Sequence, residues 1–144
     1  MRRRPSHGSR PAVAELKQLV RDHSALVGSV VRVETAEPQI VLTFDDGPDP
    51  VGTAEVLTAL AEAGASATFF VLMSRARRHG SLLTEVVAAG HEVGLHGVDH
   101  QPLTDFTYAA ARRRTLDGRR ELEDRLGRPV RWFRPPYGRQ TPRT

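Results

Sequence analysis

The sequence contains no cysteine, a single lysine and no apolar run long enough to cross a bilayer. The lack of cysteine excludes disulfides, thiolate zinc sites and thiol nucleophiles, so a transition metal must be held by His, Asp or Glu. Such ligands suit Zn²⁺, Co²⁺, Mn²⁺ or Ni²⁺. No apolar segment of signal-peptide length follows the basic N-terminus, because the nearest candidate, residues 25–31, is short and contains Gly28 and Ser29. We therefore predict no signal peptide, no membrane span and a cytoplasmic location, with a cell-wall location open if the true start lies upstream.

Arginine supplies nearly all of the positive charge, since Lys17 is the only lysine and the formal net charge is +4. Arginine triplets at residues 2–4 and 112–114 are interpreted as a disordered basic tail and a solvated helix face. A nucleic-acid site would need arginines on one face interleaved with aromatic residues, a pattern that is not seen here. We predict no nucleic-acid partner.

The length of 144 residues fits one domain. Residues 1–10 are predicted to be a disordered basic tail, residues 11–37 an N-terminal helix and lead-in, and residues 38–144 the main domain. Within that domain apolar strands alternate with amphipathic helices, and a glycine follows each helix. This alternation predicts an α/β fold with a parallel sheet. The predicted strands span residues 40–44, 66–72, 91–96 and 130–133, and the predicted helices span residues 53–63, 82–89 and 106–126.

The first of these strands leads directly into two acids and a Gly-Pro pair at residues 45–48. In α/β folds the C-terminal ends of the strands carry the active site. Adjacent carboxylates repel each other, so Asp45 and Asp46 favour a nearby cation or arginine. The alternative is a plain turn, because turns select Asp, Gly and Pro.

Two histidines follow the third predicted strand at a spacing of four residues. Asp46, His96 and His100 would form a three-ligand site with open positions, which is the pattern of a catalytic metal. Taken singly, each histidine also fits a surface or core position. Asp45 is the candidate acceptor of a proton from water. His91 faces the opposite side of the strand from His96 and is interpreted as structural.

A third motif, RPPYG at residues 134–138, follows the last predicted strand. Arg134, at the same C-terminal edge of the predicted sheet, would keep Asp45 ionised. This edge is called the rim below. The two prolines have no N–H group and fix φ, which leaves the Tyr137 amide as a positioned donor for an oxyanion. A Pro-Gly surface turn is the alternative.

The segments TFDDGP at residues 43–48, HGVDH at 96–100 and RPPYG at 134–138 resemble the polysaccharide deacetylase family with the NodB-homology domain. The resemblance covers roughly residues 38 to 140 and implies a distorted (β/α) barrel. It also implies metal-dependent hydrolysis of carbon–nitrogen amide bonds, with N-acetyl groups removed from a sugar polymer or oligomer such as chitin oligomers or peptidoglycan.

Carried over residue by residue, the resemblance assigns Asp45 as the catalytic base and Arg134 as the residue that orients it. The Tyr137 amide stabilises the oxyanion, and Pro135, Pro136 and Tyr137 form the substrate side. The metal, Zn²⁺ before Co²⁺, Mn²⁺ or Ni²⁺, is bound by Asp46, His96 and His100.

The chain departs from the family pattern at Gly97 and Gln101, where the family usually has Ser or Thr and Pro. The missing hydroxyl at position 97 is expected to remove a loop-ordering hydrogen bond without removing a ligand. No histidine follows His100, whereas the family has a late Leu-x-His whose histidine is the general acid. We therefore expect a partial barrel lacking its C-terminal strands, with an open sheet edge and turnover reduced by about 10²–10⁴-fold. An inactive metal- or sugar-binding remnant is the alternative.

Two other classes are excluded by spacing. A phosphatase of the haloacid dehalogenase type needs a second Asp at the position of Gly47. An EF-hand needs a regular 1-3-5 acid spacing, which Asp45, Asp46 and Asp49 lack. Related deformylases or imide hydrolases share these motifs and stay open as alternatives, as does the oligomeric state.

Overall fold

The computed structural model describes residues 35–141. The predicted basic tail and the predicted N-terminal helix lie outside the described residues, as does all of the lead-in before residue 35. The chain divides into two compact units at Gln39 and Ile40, and the unit from Ile40 onward contains all the motifs.

Helices and parallel strands alternate in this second unit, which confirms the predicted α/β class. Its strands pair in the order β1-β2-β3, with Phe44 beside Phe69 and Val71 beside Leu95. In chain order the elements are β1 (Thr43–Asp45), α1 (Gly52–Glu62), β2 (Thr68–Leu72), α2 (Met73–Ala76), α3 (Gly80–Ala88), β3 (Glu92–Gly97), a 3₁₀ turn (Leu103–Asp105), α4 (Tyr108–Leu126) and a second 3₁₀ turn (Pro136–Gly138).

The helix ends follow the sequence signals. Helix α4 begins two residues later than predicted because Thr107 is its N-cap, with Oγ1 accepting from the Ala110 amide at 3.3 Å. It ends at Gly127, which takes φ +63° and donates its N–H to Glu123 O at 2.9 Å. The short helix α2 was not predicted from the sequence; its Met73 and Ala76 are fully buried.

Strand β2 lies in the middle of the sheet, and its last four residues are all buried. The near-continuous apolar run at this strand is explained by that position, because a central parallel strand is covered on both faces. The core around it combines residues from every layer: Leu60, Phe69, Val71, Met73, Leu83, Val86, Val93, Leu95, Leu122 and Val130.

The predicted buried strand over residues 40–44 is wrong in its first three residues. Strand β1 covers only Thr43–Asp45, while Ile40 and Val41 are 87% and 67% exposed. Only β2 pairs with β1 in the described part of the chain, so its second edge has no ladder to extend it. The predicted open edge is therefore present among residues 35–141.

The predicted fourth strand over residues 130–133 is also wrong, because a single parallel bridge joins Phe133 to Leu95. Leu95 N–H donates to Trp132 O, and Arg134 N–H donates to Leu95 O, both at 2.9 Å. The ladder stops there since the two prolines that follow have no N–H to donate.

No helix within residues 35–141 has the length and apolar character needed to cross a membrane.

Candidate active site

The structure brings Asp46, His96 and His100 together where strands β1 and β3 end. Asp46 Oδ1 lies 3.4 Å from His96 Nε2 and 3.4 Å from His100 Nε2. One donor atom from each of the three residues lies within 4.8 Å of the other two. Asp46 takes φ +70° directly after β1, a left-handed conformation that Asp tolerates better than most residues. The backbone at this point therefore turns the carboxylate towards the two histidines of the neighbouring segment.

His96 is oriented by a hydrogen bond behind it. Its Nδ1 lies 2.8 Å from the Arg134 carbonyl oxygen, and its side chain is only 3% exposed. A carbonyl only accepts, so Nδ1 is the donor of this hydrogen bond, and the other ring nitrogen, Nε2, faces Asp46. Metal-binding histidines commonly have this kind of outer partner.

The donor set fits a divalent transition metal. Ligand bonds of about 2.0–2.1 Å at tetrahedral angles put neighbouring ligand atoms about 3.3 Å apart. The observed 3.4 Å separations match that spacing and are long for hydrogen bonds between these groups. Two imidazoles and one carboxylate suit Zn²⁺ and its neighbours in the periodic table.

Asp45 lies beside this cluster and is held by Arg134. Arg134 Nη1 donates to Asp45 Oδ1 at 2.6 Å and to Thr43 Oγ1 at 3.0 Å. The guanidinium also lies 4.1 Å from the centroid of the Phe70 ring. Arg134 thus orients both Asp45, through its side chain, and His96, through its carbonyl. Thr43 and Phe70 were missed in the sequence, since nothing in a linear motif connects them to an arginine far along the chain.

The turn after Arg134 completes the rim. Tyr137 takes φ +59° and ψ +8°, and its ring centroid lies 4.3 Å from that of His100. Gly138 and Arg139 donate their N–H groups to Pro135 O and Pro136 O, which closes the turn. Tyr137 is 62% exposed, whereas Pro136 is fully buried. The predicted substrate contact of Pro135 and Tyr137 stays a prediction, and the burial of Pro136 favours a packing role for that residue.

The loop between the two histidines requires glycine at its first position. Gly97 takes φ +117°, and a Cβ there would lie 3.2 Å from Asp99 O and 3.5 Å from Pro136 Cγ. A serine or threonine in this conformation would be strained. Glycine in place of the family's Ser or Thr at position 97 therefore permits this positive-φ backbone as well as removing a hydroxyl.

The segment after the acid pair is tied to helix α1. Asp49 Oδ1 accepts from the amides of Gly52 and Val51 at 3.0 and 3.1 Å. These two backbone hydrogen bonds lower the pKa of Asp49, and the charge of Arg75 lowers it further against the opposing effect of desolvation. A cavity of about 210 Å³ lies here, lined by Asp45, Asp46 and Arg75 among others. The Asp-Asp-Gly-Pro segment thus lines the site, and the turn follows it at residues 50–51.

His91 does not belong to this site. It is 5% exposed, its ring centroid lies 5.5 Å from that of Phe69, and its Nδ1 has no hydrogen-bond partner among residues 35–141. This placement agrees with the structural role predicted for it.

Fold and site together define an α/β protein with an Asp-His-His cluster of metal-binding type beside an arginine-held carboxylate. The chain belongs to the polysaccharide deacetylase family, whose sequence profile matches residues 32–144. A chitooligosaccharide deacetylase from Sinorhizobium fredii is 42% identical over 113 residues, which cover 76% of this chain and 52% of the relative.

Solved structures show the same relationship. The peptidoglycan deacetylase PdaC from Bacillus subtilis matches with a TM-score of 0.70 and 36% identity over 76% of this chain and 54% of that one. A family 4 acetyl xylan esterase from Clostridium thermocellum, in complex with a cobalt ion, matches with a TM-score of 0.67 and 32% identity over 72% of this chain and 51% of that one. The chain therefore spans about half the length of the relatives that it matches.

Proposed function

We propose that this chain provides the metal centre and the general base of a hydrolase that removes N-acetyl groups from an amino-sugar polymer or oligomer. The observation that carries the proposal is the Asp46-His96-His100 cluster beside the Asp45–Arg134 pair. The membership of the chain in the polysaccharide deacetylase family supports the proposal, as do relatives named for deacetylation of chitooligosaccharide and peptidoglycan.

Asp46, His96 and His100 would hold the metal, for which Zn²⁺ is proposed first. A cobalt ion in the related esterase structure supports a divalent metal without selecting zinc. When bound, such an ion polarises the acetyl carbonyl and lowers the pKa of a water molecule. The remaining work falls to side chains and amides of this chain.

Asp45 is proposed to take the proton from the attacking water. The Arg134 guanidinium holds its Oδ1 at 2.6 Å, while the carboxylate as a whole remains 36% exposed at the rim. Attack by the water forms a carbon–oxygen bond at the carbonyl carbon of the acetyl group. Cleavage of the carbon–nitrogen bond then yields acetate and a free sugar amine. The amine nitrogen needs one proton, and protonated Asp45 is a source of it within this chain.

The Tyr137 amide is proposed to donate to the oxygen of the tetrahedral intermediate. Tyr137 has a left-handed conformation and comes directly after two prolines, which have no N–H group. The Tyr137 N–H is therefore the first backbone donor of this turn. A preorganised backbone donor of this kind stabilises developing negative charge more than ground-state charge. The exposed Tyr137 ring extends the same rim towards a sugar.

A second candidate function is metal or sugar binding without turnover. The observation that favours it is a related structure, matched at a TM-score of 0.67 and 27% identity, that is described as a pseudoenzyme of carbohydrate esterase family 4. The first candidate predicts both metal binding and acetate release, whereas the second predicts no acetate release.

The two are separated by titrating Zn²⁺ into the 144-residue chain in a calorimeter and by measuring acetate release from N-acetylglucosamine oligomers. Asp46→Asn is expected to abolish one-to-one binding, while Asp45→Asn keeps binding and lowers acetate release by about 10²–10⁴-fold, the typical contribution of a general base. Binding without acetate release in the wild-type chain would favour the second candidate. A wild-type chain that melts cooperatively yet binds no metal would contradict the first candidate and would leave only sugar binding for the second.

A further inference from the structure

Helix α4 contacts two of the three residues that separate the two metal-type histidines, Val98 and Asp99. Arg114 Nη2 donates to both carboxylate oxygens of Asp99, each at 2.8 Å, and Asp99 directly precedes His100. The same guanidinium lies 4.4 Å from the centroid of the Phe106 ring, just before the helix begins. Arg114 is therefore fixed on one side by an aromatic ring and joined on the other to the loop.

The helix also approaches this loop closely one turn further on. A Cβ at Gly118 would lie 3.3 Å from Val98 Cγ2, and Gly118 is itself buried. Val98 O accepts from the Ser74 amide at 2.8 Å. Each residue between the histidines thus has its own support, since Gly97 packs against Pro136 as well.

The two histidines differ in how they are held. His96 is 3% exposed and bonded through Nδ1 to Arg134 O. His100 is 34% exposed, and within residues 35–141 its ring contacts are with Asp46, His96 and Tyr137. The second ligand therefore depends on its backbone for position, and Asp99 is the adjacent residue through which that backbone is anchored.

We propose that Arg114 and Asp99 form a positioning pair for His100, so that α4 sets the geometry of the metal site. The inference rests on the proposed function, because it assumes that His100 binds a metal.

A surface ion pair with only a general stabilising role is the competing explanation. The Arg114 and Asp99 side chains are 30% and 40% exposed, a degree of exposure at which ion pairs add little to stability. The chain offers a matched control on the same helix: Arg77 donates to Glu121 of α4 through Nη2 at 2.6 Å and Nε at 2.9 Å, away from the histidine loop. A general role predicts equal effects of the two pairs, and a positioning role predicts different ones.

The test compares Zn²⁺ dissociation constants and metal-free melting curves of the full chain for Arg114→Gln, Asp99→Asn, the double variant and Arg77→Gln. We expect the first two variants to weaken Zn²⁺ binding about tenfold, the lower end of the range for outer partners of metal ligands. The double variant should be no weaker than Asp99→Asn alone, because the two residues act as one unit. Arg77→Gln should lower the melting temperature as much as Arg114→Gln while leaving the Zn²⁺ affinity unchanged.

Arg114→Lys provides a second variant if Arg114→Gln does not fold without metal; it keeps the charge but loses the planar fork, and it is expected to fall between wild type and Arg114→Gln. Equal Zn²⁺ affinities in wild type, Arg114→Gln and Arg114→Lys would overturn the inference, as would equal weakening by Arg77→Gln. These results leave the proposed function intact, since the wild-type chain still binds metal. A wild-type chain without Zn²⁺ binding would instead overturn the proposed function and this inference with it.

Discussion

Gly94 in the middle of strand β3 is a position where one added methyl group should disturb both the core and the site. A Cβ built there would lie 2.7 and 2.8 Å from two carbons of the Phe70 ring and 3.1 Å from Trp132 O. These distances are well inside the contact distance of about 3.5–4.0 Å between carbon atoms. Phe70 is 7% exposed and carries the Arg134 guanidinium 4.1 Å from its centroid, so a displaced ring also displaces the residue that holds Asp45.

The expected effect of Gly94→Ala combines two opposing contributions. Overpacking a filled core costs about 1–3 kcal/mol. The reduced entropy of the unfolded chain returns about 0.4–1 kcal/mol. We therefore expect a net loss of about 1.3 kcal/mol in the free energy of unfolding, the middle of these ranges, and of at most about 2.6 kcal/mol.

The assay is equilibrium urea unfolding followed by circular dichroism and by fluorescence of Trp132, the only tryptophan. Gly80→Ala is the control, because a Cβ at this first residue of α3 meets no atom of the described residues within 4 Å and its φ is not in the left-handed region. That variant is expected to be neutral or more stable by up to about 1 kcal/mol. Equal stability of the two variants would refute the packing argument at Gly94.

Two further predictions concern charged groups. The hydrogen bond from Arg77, followed by that from Arg125, lowers the pKa of Glu121 from 4.5 to about 2. A lowered carboxyl pKa gives stability that is present above pH 4.5 and is lost as the pH falls towards 2. The melting temperature of wild type should therefore drop more steeply over that range than the melting temperature of Glu121→Gln. Parallel curves of melting temperature against pH for the two proteins would contradict this. Asp49→Ala should lower the melting temperature by removing the acceptor for the Val51 and Gly52 amides at the start of α1. Asp49→Asn keeps an oxygen acceptor and should lower it less, and equal losses would show that the charge of Asp49 matters more than these two hydrogen bonds.

Much of the fold followed from local signals. Glycines at positions 64, 90 and 127 take positive φ at the ends of α1, α3 and α4, as the sequence predicted. The apolar run of β2 indicated a strand of a parallel sheet, and the structure shows that it is the central one, with its last four residues buried. Predictions were wrong at residues 40–42 and 130–133, where apolar residues indicated strands that lack a continuous ladder. A hydrophobic pattern indicates which residues can be buried, but whether they form a strand also depends on a neighbouring strand with which they can pair.

For the site, the sequence determined which chemical groups are present and in which segments: two adjacent acids after a strand, two histidines four residues apart, and an arginine before two prolines. It determined them because each motif is local. Only the tertiary structure decided that Asp46 Oδ1 lies 3.4 Å from both imidazoles, and that the Arg134 carbonyl selects the proton position on His96.

The supports of the site were likewise decided in three dimensions. Thr43 and Phe70 reach Arg134, and Arg114 reaches Asp99, through contacts between segments far apart in the chain. No linear spacing encodes such contacts, because they depend on the register of the strands and on how closely Gly118 lets helix α4 approach the loop. The sequence alone thus determined the family and the reactive groups, while packing decided their distances and orientations.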